Sequence, residues 1–205
     1  MKLEPLFTSK DNSLFAIDGT AVSTENCSLL SAKDLSASSQ LPADNKSPLL
    51  VSISWEEIGL DETSYNEELL ANLRDYLKVL DEENRFAIIV PEAGKSGLTA
   101  AQKDNFTASC KHCARRIKDC KSVIGFAIPE EADAATFMEE LSQKHAHYIY
   151  FSKNASVLED SSVLKIEIRK YTLKKCSTLA ASEKRWNIEC VHLNFRRIKK
   201  PQPRE

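Results

Sequence analysis

From Leu49 onward the apolar positions alternate between short continuous runs and stretches of helical spacing. Leu49-Leu-Val-Ser-Ile-Ser-Trp55 is a short apolar run and predicts a strand. Ser64-Tyr-Asn-Glu67 has the form of a capping box, and Leu69, Leu70, Leu73, Tyr76, Leu77 and Leu80 keep the 3-4 spacing of a helix that ends near Glu83-Asn84. Phe86-Ala-Ile-Ile-Val90 is nearly unbroken in its apolarity, the mark of a strand covered on both faces, and Pro91 is expected to end it. Thr99-Ala-Ala-Gln102 is a second capping box, opening a helix to about Lys118. Ser122 to Ile128 predicts the next strand, Asp133 caps a helix through about Lys144, and Tyr148 to Phe151 predicts a fourth strand.

The flanks are patterned differently. Leu14 to Ile17, followed by Asp18-Gly19, predicts a strand and turn, with a hairpin continuing through Val22 to Leu30. Ser31 to Pro48 is rich in Ser, Ala, Asp, Asn and Pro, so a surface connection with at most one helical turn is expected there. Near the C-terminus, Val163 to Leu173 alternates apolar and charged residues, and Ile188 to Ile198 does so loosely. Both predict strands with one polar face, and residues 177–184 could form a short helix between them. The organisation expected is a single α/β domain over 1–205, with an irregular N-terminal segment (1–48), parallel βα units (49–160) and basic C-terminal strands (161–198).

Strands alternating with helices argue for a parallel sheet with right-handed crossovers. The strand starts near residues 51, 86, 122 and 147 are spaced 35, 36 and 25 residues apart. Eight units at that pitch overrun this chain, since a complete barrel takes ~250 residues. The fold expected is therefore a shortened or degenerate (β/α) TIM-like barrel. The alternative is an open doubly wound sheet with antiparallel C-terminal strands.

Composition narrows the class. With 42% hydrophobic and 28% charged residues in 205, collagen-like, disordered and membrane classes drop out. No run approaches the ~20 apolar residues of a membrane span, and the first residues carry acids and a proline in place of a signal peptide, so a cytoplasmic location is expected. Charge is segregated: residues 1–164 carry a net −10 and residues 165–205 a net +8. The basic end either complements the acidic part of its own molecule, which is the simpler reading, or docks a polyanion; nucleic acid is not the expected partner. Six cysteines are too few for a disulfide scaffold. Cys110 and Cys113 have redox or zinc spacing, but with Phe106 and Ile117 they fall on the apolar face of a helix, so core packing is the preferred reading. The histidines, His112, His145, His147 and His192, have no partner fixed by sequence.

Ligands of parallel sheets bind at the carboxyl ends of the strands. There the chain places Trp55-Glu56-Glu57, Pro91-Glu92 with Gly94-Lys95, Pro129-Glu130-Glu131, and Ser152-Lys153-Asn154. Three of four strands thus deliver a carboxylate to one rim, the arrangement that makes acid-base pairs or cation sites, although glutamate also simply decorates solvated loops. Gly94-Lys95-Ser96 is not a Walker A loop, because the first glycine of that pattern would fall on Ile89, inside a strand.

Residues 49–131, with Ser54-Trp55, Arg116-Ile-Lys-Asp119 and the strand ending in Pro129-Glu130-Glu131, resemble the first half of cellulase-like glycoside hydrolases of the family 5 type. The resemblance implies a (β/α) eight-fold barrel and puts Glu130 on the general acid/base position. The family's Asn before that glutamate is Pro129 here, its histidines after the third strand read Pro91-Glu92, and Leu193 and Asn194 stand where the nucleophilic glutamate belongs. Retaining hydrolysis needs two carboxyl groups ~5 Å apart. The expectation is accordingly a glycoside-hydrolase-like protein that is non-catalytic or degenerate, binding a carbohydrate or a protein partner at its rim. Trp55, Glu56, Glu131, Lys153 and Asn154 are the candidate contacts, with no metal and no cofactor. The alternatives are an active glycosidase or metal-dependent hydrolase pairing Glu130 with Glu92 or another rim acid, and a polyanion-binding α/β domain.

Overall fold

The alternation of apolar runs and helical spacing builds two sheets and a helical layer. The computed structural model describes residues 4–42, 47–59 and 64–168. The predicted elements over 177–184 and 188–198, together with Cys176, Cys190, His192, Leu193 and Asn194, lie outside the described residues.

A small antiparallel sheet comes first, formed by β1 (Phe7–Lys10), β2 (Ser13–Ala16) and β3 (Ala21–Val22) in that order. Asp18 and Gly19 turn the chain between β2 and β3: the Asp18 carboxylate accepts the Thr20 N–H at 2.9 Å, and Gly19 takes a positive φ of 86°. The expected hairpin stops at Val22. Leu29 to Ser31 is instead β4, paired in parallel with β5 (Leu49–Ser54).

The main sheet continues with β6 (Ala87–Glu92), β7 (Val123–Ala127), β8 (Ile149–Ser152) and β9 (Val163–Lys165). Its six strands lie in chain order, β4-β5-β6-β7-β8-β9, every neighbouring pair parallel. β6 runs through Pro91 to Glu92 where Pro91 was expected to end it. Its pairing with β7 stops at Ile89, so the proline sits where β6 is paired with β5 alone.

Four helices join these strands: α1 (Trp55–Ile58), α2 (Glu67–Glu82), α3 (Ala100–Arg116) and α4 (Ala134–His145). Thr99 and Gln102 close the predicted box on α3, and Asp133 caps α4. The cap of α2 is Asn66 and not Ser64: the Asn66 side chain accepts the Leu69 N–H at 3.0 Å, which satisfies an end donor without a box.

The packing overturns the doubly wound alternative. Leu49, Val51, Ile53, Ala87 and Ile89 on one face of the sheet share a single apolar cluster with α1, α2, α3 and α4. The opposite face, with Leu50, Ile88, Val90, Ile124 and Phe151, packs against Phe7, Leu14 and Cys27 of the N-terminal segment. A doubly wound sheet reverses its strand order so that helices cover both faces; among the described residues the strands do not reverse, and the helices stay on one side. The first of the expected antiparallel C-terminal strands is corrected as well, since β9 joins β8 in parallel, with Phe151 opposite Leu164; the second, over 188–198, lies outside the described residues.

Candidate functional site

A cavity of about 340 Å3 opens at the carboxyl edge of the sheet, bounded by the segments that follow β6, β7, β8 and β9. Its apolar walls include Val90, Ala127, Ile166 and Ile168, all from the sheet face opposite the helices. The strand ends place the polar groups. Glu92 is the last residue of β6, and Glu130 and Glu131 follow Pro129 in a turn in which the Ala132 N–H meets the Pro129 carbonyl at 3.3 Å. The cap at Asp133 then starts α4 at once, holding this turn short. Lys153 follows β8.

Across the cavity the Lys153 ammonium meets the Glu130 carboxylate at 3.1 Å, with the two side chains 54% and 55% exposed. Lys95 also lines the cavity, on a loop where Gly94 and Gly97 take φ of 76° and 71°. Three carboxylates and two ammonium groups therefore share one opening above an apolar wall. That combination can orient a polar ligand through hydrogen bonds while its nonpolar face packs below.

The remaining candidates are placed elsewhere or already engaged. Trp55 begins α1 directly after the Ser54 cap, so the chain turns and its ring packs on Phe106, centroids 5.6 Å apart, outside the cavity lining. Lys95 reaches that ring at 5.5 Å, linking Trp55 to the rim through a cation–π contact. Glu56, also outside the lining, approaches Gly94: a β-carbon there would lie 3.9 Å from its carboxyl carbon. Glu57 completes the capping box with Ser54 and pairs with Lys33 at 3.8 Å. Asn154 is spent on its own turn, its side-chain oxygen accepting the Ser156 N–H at 3.1 Å and hydroxyl at 3.0 Å. Glu92, Glu130, Glu131 and Lys153 are brought together; Trp55, Glu56 and Asn154 are not.

Ser152, which the sequence places at the rim beside Lys153, lines the cavity, whereas sequence reasoning did not put Ile166 or Ile168 there. The signal for the isoleucines was present in the alternation that starts at Val163. Cys110, Cys113 and Cys120 are buried in the helix-side cluster. Burial drives the Cys110 thiol well up and pushes those of Cys113 and Cys120 to about 12, so they stay protonated packing groups. No cluster of three metal-ligating side chains forms among the described residues, and no described helix is long and apolar enough to cross a membrane.

Neither a protein-family model nor a curated protein matches the chain.

Proposed function

We propose that this protein is a glycoside-hydrolase-like binding protein, non-catalytic, that seats a carbohydrate in the cavity at the carboxyl ends of β6 to β9. The observation that carries this reading is the cavity itself, where the ends of β6, β7 and β8 supply charged groups above an apolar wall to which Ile166 and Ile168, after β9, contribute. A shortened (β/α) barrel belongs to the same proposal: strands in chain order with the described helices on one side are what an unclosed barrel sheet presents. The pairing of Glu130 with Lys153 favours binding over acid catalysis, because its carboxylate already faces a cation and open solvent.

One observation favours the alternative of an active hydrolase, namely that Glu92, Glu130 and Glu131 line the same cavity. A single experiment separates the two. Aryl glycosides and oligosaccharides are screened for turnover and for saturable binding, with wild type beside Glu130→Gln and Lys153→Met. Saturable sugar binding, weakened about tenfold or more in Lys153→Met with no turnover, is the expected result. Turnover that falls at least ~100-fold in Glu130→Gln would make the protein an acid-base hydrolase, and absence of both binding and turnover would sink the carbohydrate reading. The remaining alternative, polyanion binding, concerns the basic C-terminal residues, most of which lie outside the described residues.

A further inference from the structure

On the helical side of the sheet, α3 and α4 enclose a second cavity of about 250 Å3, which shares no lining residue with the first. Ala108, Lys111, His112 and Arg115 line it from α3 at i, i+3, i+4 and i+7, so they share one helix face. From α4 come Glu140, Lys144 and His145.

The hydrogen bonds show which charges are already used. Lys111 pairs with Glu140, so the one carboxylate among the described lining residues is neutralised as it ties the two helices together. His112 is fixed as one tautomer: arginine only donates, so the Arg115 Nη2 bonds at 3.0 Å to a bare Nδ1, and the proton sits on Nε2, facing the Glu67 carboxylate at 2.9 Å. That carboxylate is further engaged by Arg116 at 2.6 Å. Tyr65 stacks on the imidazole at 3.9 Å, holding the ring in place. Two cations are left over. Arg115 keeps further N–H donors of its fork, and Lys144 makes no ion pair among the described residues.

We propose that this groove is a binding site for a tetrahedral oxyanion, a phosphate or sulfate group held by Arg115 and Lys144 against the wall of Tyr65, Ala108 and His145. The guanidinium fork suits two oxygens of one such group, and the ammonium supplies a point charge beside it. The volume is below the ~300 Å3 at which sites for drug-sized ligands begin, which fits a small anion or a small phosphoester. The local field agrees: burial first, and then the charges of His147, Lys118 and Lys144, hold the neighbouring His145 down at about 4. A bound anion offsets those charges, so His145 reports occupancy by titrating higher.

The test follows the imidazole NMR signals of the full-length chain while sodium phosphate replaces sodium chloride at constant ionic strength. Saturable shifts at His112 and His145 are expected, with the His145 titration midpoint raised. Phosphate affinity should fall at least tenfold in Lys144→Gln and in Arg115→Gln. Both side chains are exposed, and circular dichroism confirms that each variant is folded. Phenyl phosphate separates the sources: tighter binding than phosphate assigns the site to an organic phosphoester, and equal binding to the free oxyanion. Shifts that rise linearly and match those in chloride would overturn the proposal, as would saturable binding left unchanged in both folded variants.

Discussion

A single missing side chain sets how closely β7 and β8 pair. Gly125 stands opposite Ile149, and a β-carbon on it would lie 1.7 Å from the Ile149 carbonyl oxygen and 2.7 Å from that residue's amide nitrogen. These are backbone atoms of a paired strand, so relief requires the strands to part. Gly125→Ala is expected to cost about 3 kcal/mol or more, at or beyond the upper end of ordinary overpacking. Urea unfolding measures it, and a midpoint equal to wild type would mean that β7 and β8 do not pair in this register. The same residue scale explains the rim. Glu92, Glu130 and Lys153 face one opening because each stands at or just after the last residue of its strand, whereas Trp55 starts a helix and is turned away.

At the scale of elements, β6 carries the most consequence, because it is paired on both sides and buried on both faces. Ile88 lies fully buried on the face covered by the N-terminal segment, so Ile88→Ala should cost ~2 to 5 kcal/mol in the same unfolding experiment. A near-neutral result would remove Ile88 from the core. The elements that could be read from sequence are those with local signals: α3 and α4 announce themselves by caps at Thr99 and Asp133, and β6 by its unbroken apolar run. Where the local signal was ambiguous, geometry decided. Both Ser64 and Asn66 are good cap residues, and only the register of the first turn selects Asn66. β4 has three residues, too few for a period, and its place beside β5 depends on pairing with residues about twenty positions away. The one-sided helical layer was equally hidden, since a parallel strand reads as apolar on both faces whether helices or a hairpin cover it. For the site, strand ends are legible and so were Glu92, Glu130, Glu131 and Lys153. The groove between α3 and α4 was not, because Arg115 and Lys144 meet only through packing of two separate helices.

Taken as a whole, the described fold covers one face of its sheet with helices and part of the other with a small antiparallel sheet, and this arrangement buries titratable groups where α4 leads into β8. His145 ends α4, a position whose helix dipole ordinarily favours an imidazolium. Here burial outweighs the dipole. The side chain is 6% exposed, with the rings of His147 and Tyr148 at 6.2 Å and 5.4 Å, and its affinity for a proton falls from the ordinary 6.5 to about 4. His147 is lowered as well, also by burial. The unfolded chain therefore binds more protons than the folded one between pH 6.5 and pH 4, so stability is complete above that window and falls as the pH is lowered through it. At about 1.4 kcal/mol per pH unit, His145 alone accounts for about 3 kcal/mol. Carboxylates held below their ordinary range by hydrogen bonds, such as Glu67 beside Arg116 and Asp119 beside Arg74, lose their contribution only at lower pH, so the upper part of the window belongs to the histidines. Unfolding free energies measured by urea at pH 7, 6, 5 and 4.5 should decline steadily for wild type and markedly less for His145→Gln. The slope is the readout, since the variant's absolute stability also reflects its altered packing. Equal slopes in the two proteins would show that His145 is free to take up a proton in the folded state, and that the packing between α4 and β8 does not keep it from solvent.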